Sequence, residues 1–182
     1  MEDNELAAAC LQGDKEAFRK IMETHSGPAL ALAINVLGNR QDAEDACQEA
    51  FVQAFRHLGR FDGRAHFRTW LLTIVYRRCL DMLKRKRRFR VAVEKAGHDA
   101  IPGGRGDAGS ADASGDGPPL PERWLKGLTP RERTALCLWA DEGLNAAEIA
   151  GVLGCAASTS RVTLFNARKK IKSLMENAHA AR

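Results

Sequence analysis

From Gly97 to Pro119 the chain reads GHDAIPGGRGDAGSADASGDGPP, with Ile101 its one large apolar residue. A run so rich in glycine, proline, serine and aspartate cannot bury enough apolar surface to offset the entropy of ordering it. No hydrophobic core can pass through it. The chain is therefore expected to form two small helical domains, 1–94 and 121–182, joined by a flexible linker over 95–120. Blocks of roughly 95 and roughly 60 residues can hold an adequate but marginal core. A content of 45% hydrophobic and 28% charged residues fits ordinary soluble domains.

Each block carries a basic helical segment, YRRCLDMLKRKRRFR from Tyr76 to Arg90 and RVTLFNARKKIK from Arg161 to Lys172. Between Arg77 and Arg90 eight basic residues stand against the single acid Asp81. Cations at a helix C-terminus gain at most ~1 kcal/mol each from the dipole. That need is met by far fewer, so the excess, with a net charge of +5, points to a polyanionic partner.

Other chemistries find little support. The five cysteines, Cys10, Cys47, Cys79, Cys137 and Cys155, are odd in number and widely spaced, which signals neither a disulfide framework nor a metal site. They read as reduced core residues. The five histidines show no ligand spacing, and no nucleophile motif or phosphate-binding glycine loop is present. No catalytic residue, metal or cofactor is expected. The N-terminus lacks a basic start followed by an apolar run, and no stretch approaches the ~18 apolar residues of a membrane span, so a cytoplasmic protein without membrane insertion is expected.

Helix signals recur throughout, and strand alternation does not, so the fold class is all-α. Asp14 caps a helix through Ile21. Pro28 is expected to open a second, ending at Gly38. From Asp42 a third helix places Ala43, Ala46, Cys47, Ala50, Phe51, Ala54 and Phe55 on one face. The longest helix is expected over Phe67 to Arg88. After the linker come three shorter helices and a long one. Thr129-Pro130-Arg131-Glu132 is a capping box opening a helix that stops at Gly143, and Asn145 with Glu148 repeats the signal.

Asn145 to Lys172 has a helix-turn-helix layout, with its turn at Gly154-Cys155-Ala156. Burying Leu164, Ala167, Ile171 and Leu174 sends Arg161, Val162, Phe165, Asn166, Lys169 and Lys172 to solvent. An exposed phenylalanine between arginine and asparagine suits a DNA groove, and a plain helical bundle is the rival reading. In the first block Phe61, Phe67, Trp70, Tyr76 and Phe89 interleave the cations, the combination that holds single-stranded nucleic acid. Leu71, Ile74 and Val75 are core; Phe61, Trp70 and Tyr76 are open to either role. The acidic face of the third helix reads as a solvated surface, a metal site or a protein-docking face. A metal site fails on geometry, because Glu44 and Asp45 diverge by about 100° around a helix.

Taken in order, DAEDACQEAFVQAF (Asp42 to Phe55), FRTWLLTIVYRRCLDMLKRKRR (Phe67 to Arg88) and LTPRERTALCLWADEGLNAAEIAGVLGCAASTSRVTLFNARKKI (Leu128 to Ile171) resemble bacterial sigma factors of the extracytoplasmic-function (ECF) group of the sigma-70 family. The resemblance covers both blocks. It implies a non-enzymatic factor that binds core RNA polymerase and directs promoter-specific initiation in a stress or extracytoplasmic response. Asp42, Glu44, Asp45, Gln48 and Glu49 would dock on the coiled-coil clamp of the largest polymerase subunit. The loop from Arg60 to His66 would hold a flipped base of the melted minus-10 element, with Arg60, Phe61, Arg64, His66, Trp70, Tyr76, Arg77, Lys84 and Arg85 on the single strand. Ser158, Thr159, Arg161, Val162, Phe165, Asn166 and Lys169 would meet the minus-35 duplex. Implied partners are core polymerase, promoter DNA and an anti-sigma factor.

Two departures stand out. Where the family commonly has alanine, arginine, asparagine and leucine after its Trp-Leu-x-x-Ile run, this chain has Val75, Tyr76, Arg77 and Arg78. The usual buried valine of the recognition helix is Ser160. A helix-turn-helix regulator acting without polymerase is the alternative, and it leaves the aromatic and basic run of the first block without a task.

Overall fold

The computed structural model describes residues 3–95 and 127–180. The Gly97 to Pro119 tether, and the first short helix expected after it, lie outside the described residues. Within them every regular element is helical: α1 (Asp3–Leu11), α2 (Lys15–Leu37), α3 (Arg40–Arg56), a 3-10 turn (Leu58–Arg60), α4 (Phe67–Lys95), α5 (Pro130–Ala140), α6 (Ala146–Leu153) and α7 (Ala157–Ala180).

Local chemistry sets most boundaries. The Asp14 carboxylate accepts the backbone N–H groups of Glu16 and Ala17 and so starts α2. Gly38 ends α2 at φ 78°, a left-handed conformation that costs glycine nothing, and Asn39 at once caps α3 through the Asp42 N–H. Two residues thus turn the chain between long helices. Thr129 and Glu132 form a reciprocal capping box on α5, and Asn145 and Glu148 form another on α6.

The expected break at Pro28 does not occur. Helix α2 runs through it, because one buried stripe of Ile21, His25, Ala29, Leu32 and Ala33 spans the proline and its burial outweighs the lost hydrogen bond. Gly27 helps, since it presents no Cβ to the following pyrrolidine ring. Helix α1 was not expected either; it buries Leu6, Ala7 and Cys10. Helix α4 continues beyond Arg88 to Lys95, and α5 stops at Ala140, short of Gly143.

Helices α2, α3 and α4 pack on one another, and α1 lies on α2. Their seam is lined by Ala17, Ala29, Ala33, Ala43, Ala46, Ala50 and Ala54, each at most 2% exposed. Larger residues from α4, Phe67, Leu71, Leu72, Val75 and Cys79, complete the core. Helices α5, α6 and α7 form the second bundle, tied by the Lys170 to Glu132 ion pair at 2.7 Å. Burial opposes ionisation of Glu132, but the bonds from Lys170 and Thr129 outweigh it and hold its carboxyl below the ordinary range.

The two bundles are closed on each other. Helix α6 packs on α4 and α5 packs on α2, so Leu138, Leu144, Ile149 and Leu153 join the apolar core of the first block. All five cysteines are free, and burial pushes the Cys47, Cys79 and Cys137 thiols up to about 12, far from thiolate chemistry. Among the described residues no helix is long and apolar enough to cross a membrane.

Candidate polymerase and nucleic-acid interfaces

On α3 the apolar stripe faces inward and leaves the acids outside. Glu44, Asp45, Gln48 and Glu49 are exposed, and Asp42 is half-buried. Their electrostatic situations differ. Asp42 pairs with Lys86 of α4 and accepts from Asn39; burial raises its carboxyl, yet these two partners outweigh burial and leave it below the usual carboxylate range. Glu49 pairs with Arg78 of α4, and Glu44 pairs with Arg40 on its own helix at 2.8 Å. Asp45 and Gln48 have no hydrogen-bond or ion-pair partner among the described residues. Part of the basic excess on α4, Arg78 and Lys86, is thus spent inside the fold.

The loop before α4 is built on aromatics. Phe61, Phe67 and Trp70 form a triangle with ring centroids 5.3 to 5.4 Å apart, Phe61 meeting Phe67 edge to face. Phe67 is the buried corner at 1% exposure, whereas Phe61 and Trp70 are half-buried. Arg60, Arg64 and His66 are exposed beside them, as are Arg77, Lys84 and Arg85 further along α4. Tyr76 is different. It is 7% exposed and turned toward the second bundle, where burial raises its phenol and nearby Arg131 opposes that rise.

On α7 the inward stripe is Ser160, Leu164 and Ala167, with Ile171 and Leu174 half-buried. Ser158, Thr159, Arg161, Val162, Phe165, Asn166 and Lys169 are all exposed, Val162 at 59% and Phe165 at 66%. The turn between α6 and α7 depends on Gly154, whose φ of 63° lets its N–H reach back to the α6 carbonyls. Arg168 lies over the Trp139 ring at 4.8 Å and braces α7 against α5.

Ser160 is fully buried, and its Oγ lacks a hydrogen-bond partner among the described residues. A buried hydroxyl without a partner costs about 1 to 3 kcal/mol. Ser160→Ala is accordingly expected to stabilise the protein by about 1 kcal/mol, read as a raised denaturation midpoint. An unchanged or lowered midpoint would show that the hydroxyl is satisfied.

Sequence reasoning did not single out Arg68 or Glu142, and it named Glu148 only as a helix-capping residue. Arg68 pairs with Glu142, and His66 Nε2 lies 3.9 Å from a Glu148 carboxylate oxygen, both contacts crossing between the bundles. Spacing alone gives no signal for pairs so distant along the chain. Among the described residues no cluster of His, Cys, Asp or Glu could hold a metal ion.

Comparison with known proteins places these surfaces in a family. Residues 21–89 match Sigma-70 region 2, and residues 122–171 match Sigma-70, region 4. The RNA polymerase sigma-H factor of Pseudomonas aeruginosa is 30% identical, over 96% of this chain and 94% of that protein. The ECF RNA polymerase sigma factor SigM of Mycobacterium tuberculosis is 30% identical, over 95% of this chain and 84% of that protein. The structure of CnrH in complex with the cytosolic domain of CnrY superposes with a TM-score of 0.65 at 27% identity, covering 96% of this chain and 97% of that one. With both regions matched in order, and relatives aligned along nearly its whole length, the chain belongs to the extracytoplasmic-function group of sigma-70 family RNA polymerase sigma factors.

Proposed function

We propose that this sigma factor docks on core RNA polymerase through the acidic face of α3, with Glu44, Asp45 and Gln48 at its centre and Asp42 and Glu49 at its α4 edge. The Arg60 to His66 loop, with Phe61, Arg64 and Trp70, receives the melted minus-10 strand, and Arg77, Lys84 and Arg85 hold its backbone. Ser158, Thr159, Arg161, Val162, Phe165, Asn166 and Lys169 grip the minus-35 duplex. The protein catalyses nothing itself and acts in the cytoplasm, where polymerase and promoter DNA are. One observation carries this reading: a single chain exposes an acidic ridge on α3 and, on α7, Val162 and Phe165 between Arg161 and Asn166. A regulator acting without polymerase has no use for the first.

The closed packing is the unengaged form. Elements centred near minus 10 and minus 35 are separated by about 25 base pairs, or roughly 85 Å of duplex. With α6 against α4 the two bundles cannot span that distance, so they part on the promoter, and Tyr76 is then uncovered. The linker over 95–120 keeps them together and supplies effective concentration. CnrH is held in its solved complex by the cytosolic domain of CnrY, and a comparable anti-sigma partner is assigned here by extension.

Purified protein mixed with core polymerase tests the reading. Co-purification with core and promoter-specific transcripts in a run-off assay are expected. A chain that binds promoter DNA but neither joins core nor initiates is a regulator of another kind.

A further inference from the structure

Helix α7 carries five cations, and three of them are already engaged within the bundle. Arg168 lies over Trp139, Lys170 pairs with Glu132 of α5, and Lys172 lies 3.8 Å from Glu176 one turn on. The first two brace α7 from behind and fix the rotation at which its outer face meets a ligand. Arg161 and Lys169 remain, exposed and without an ion-pair or hydrogen-bond partner among the described residues. They stand eight residues apart, about 12 Å along the helix. That is about the width of a B-DNA major groove.

Between those two cations the outward residues are Val162, Phe165 and Asn166, with Val162 and Phe165 both more than half exposed. Helical spacing sets Val162 beside Phe165 at i, i+3 and beside Asn166 at i, i+4. Phe165 has no ring partner, and the Asn166 carboxamide no hydrogen-bond partner, among the described residues. Thr163, by contrast, donates its hydroxyl to the Thr159 carbonyl at 2.8 Å. An exposed apolar pair next to a free carboxamide is poorly matched to water and well matched to A·T edges. In the major groove adenine offers an N7 acceptor and an N6 donor to one asparagine, and thymine offers its C5 methyl. Guanine presents two acceptors there, which would leave the carbonyl end of the carboxamide facing an acceptor, and a G·C pair has no methyl.

We propose that α7 reads two adjacent A·T pairs, the Asn166 carboxamide on an adenine and Val162 with Phe165 on the methyl of the neighbouring thymine. Arg161 and Lys169 hold phosphates on the two walls of the groove. Base preference thus comes from uncharged residues and positioning from the flanking cations. The inference rests on the proposed binding of α7 to the minus-35 duplex, and adds the sequence that this site selects.

This face is exposed while the bundles are closed, so the full-length protein serves without polymerase. It is immobilised and offered a duplex pool randomised over about one helical turn, and the retained fraction is sequenced. Adjacent A·T pairs are expected to be enriched. Exchanging the adenine-bearing pair of the recovered sequence for G·C should cost the wild-type protein about tenfold in affinity. Asn166→Gln, which keeps both ends of the carboxamide, should retain the preference, and Asn166→Arg should move it to guanine. Deoxyuridine in place of thymine removes only the methyl and should weaken wild-type binding about fourfold, a penalty that Val162→Ser reduces. Arg161→Ala should weaken all duplexes alike and flatten the log–log salt dependence by about 0.9. A pool that emerges unenriched or enriched in G·C pairs overturns the proposal, as does a wild-type protein indifferent to deoxyuridine or an Asn166→Arg variant with unchanged preference. The arms that alter only the DNA hold whatever the folding of the variants. Run-off transcription with core polymerase and the same wild-type preparation separates the two readings. Protein that initiates with core yet shows no A·T preference sinks this inference alone; protein that never initiates sinks the functional reading.

Discussion

Reversing one charge, Asp45→Arg, is expected to abolish co-purification with core polymerase while shifting the unfolding free energy by no more than about 0.5 kcal/mol. The contrast follows from how α3 distributes its acids. Asp42 and Glu49 are tied to Lys86 and Arg78 of α4, so changing either would strand a cation and confuse binding with folding. Asp45 is exposed and has no partner among the described residues, so its charge is free for another molecule. Reversing a charge within a complementary interface turns attraction into repulsion and costs about 2 to 5 kcal/mol, roughly a thirtyfold loss of affinity or more. The pull-down and a denaturant melt should be run together. Retained binding would remove Asp45 from the docking face; a collapsed melting curve would mean that its role is structural.

The largest effect on stability is expected at Phe67. Its ring is 1% exposed and touches Phe61, Trp70 and His25, with centroids 5.3, 5.4 and 5.8 Å away. Phe67→Ala removes that ring from a site the surrounding helices cannot collapse into, at a cost of about 3 to 5 kcal/mol. Domains of this kind are stable by about 5 to 15 kcal/mol, so roughly a fifth or more of the total would go. Phe67→Leu, which keeps most of the volume, should lose less than about 1.5 kcal/mol. Equilibrium unfolding in urea distinguishes them. A loss below about 1 kcal/mol for the alanine variant would show that the loop can refill the space. Phe61 and Trp70 lean on the same ring, so the loop proposed to hold the melted strand should loosen in parallel.

Much of this architecture could be read from residue order because its causes are local. Asp14, Thr129 and Asn145 cap helices through their own side chains, and the stripe on α7 follows helical spacing closely enough to separate Leu164 and Ala167 from Phe165 and Asn166. The failures have distant causes. Pro28 is a local signal for a new helix, overruled by a buried stripe whose partners lie on other helices. Tyr76 is as aromatic and as close to cations as Trp70, and only the placement of α5 and α6 buries it. Arg78 and Lys86 counted toward a surplus of positive charge until the fold set Glu49 and Asp42 opposite them. Arg68 and Glu142 meet only because the bundles close, which no spacing along the chain foretells.

The alanine seam between α2 and α3 carries an evolutionary consequence. Residues already this small leave substitution little to delete and much to add, and added methylenes in a packed core cost about 1 to 3 kcal/mol. Random change at Ala33, Ala43, Ala46 or Ala50 is therefore penalised most toward bulk, whereas Leu71 or Leu72 suffers by shrinking. Glycine there would weaken the helix by about 1 kcal/mol and serine would bury a hydroxyl, so the seam has little room to drift, and new specificities arise most cheaply on the outer faces of the same helices, where a residue can change without moving its neighbours.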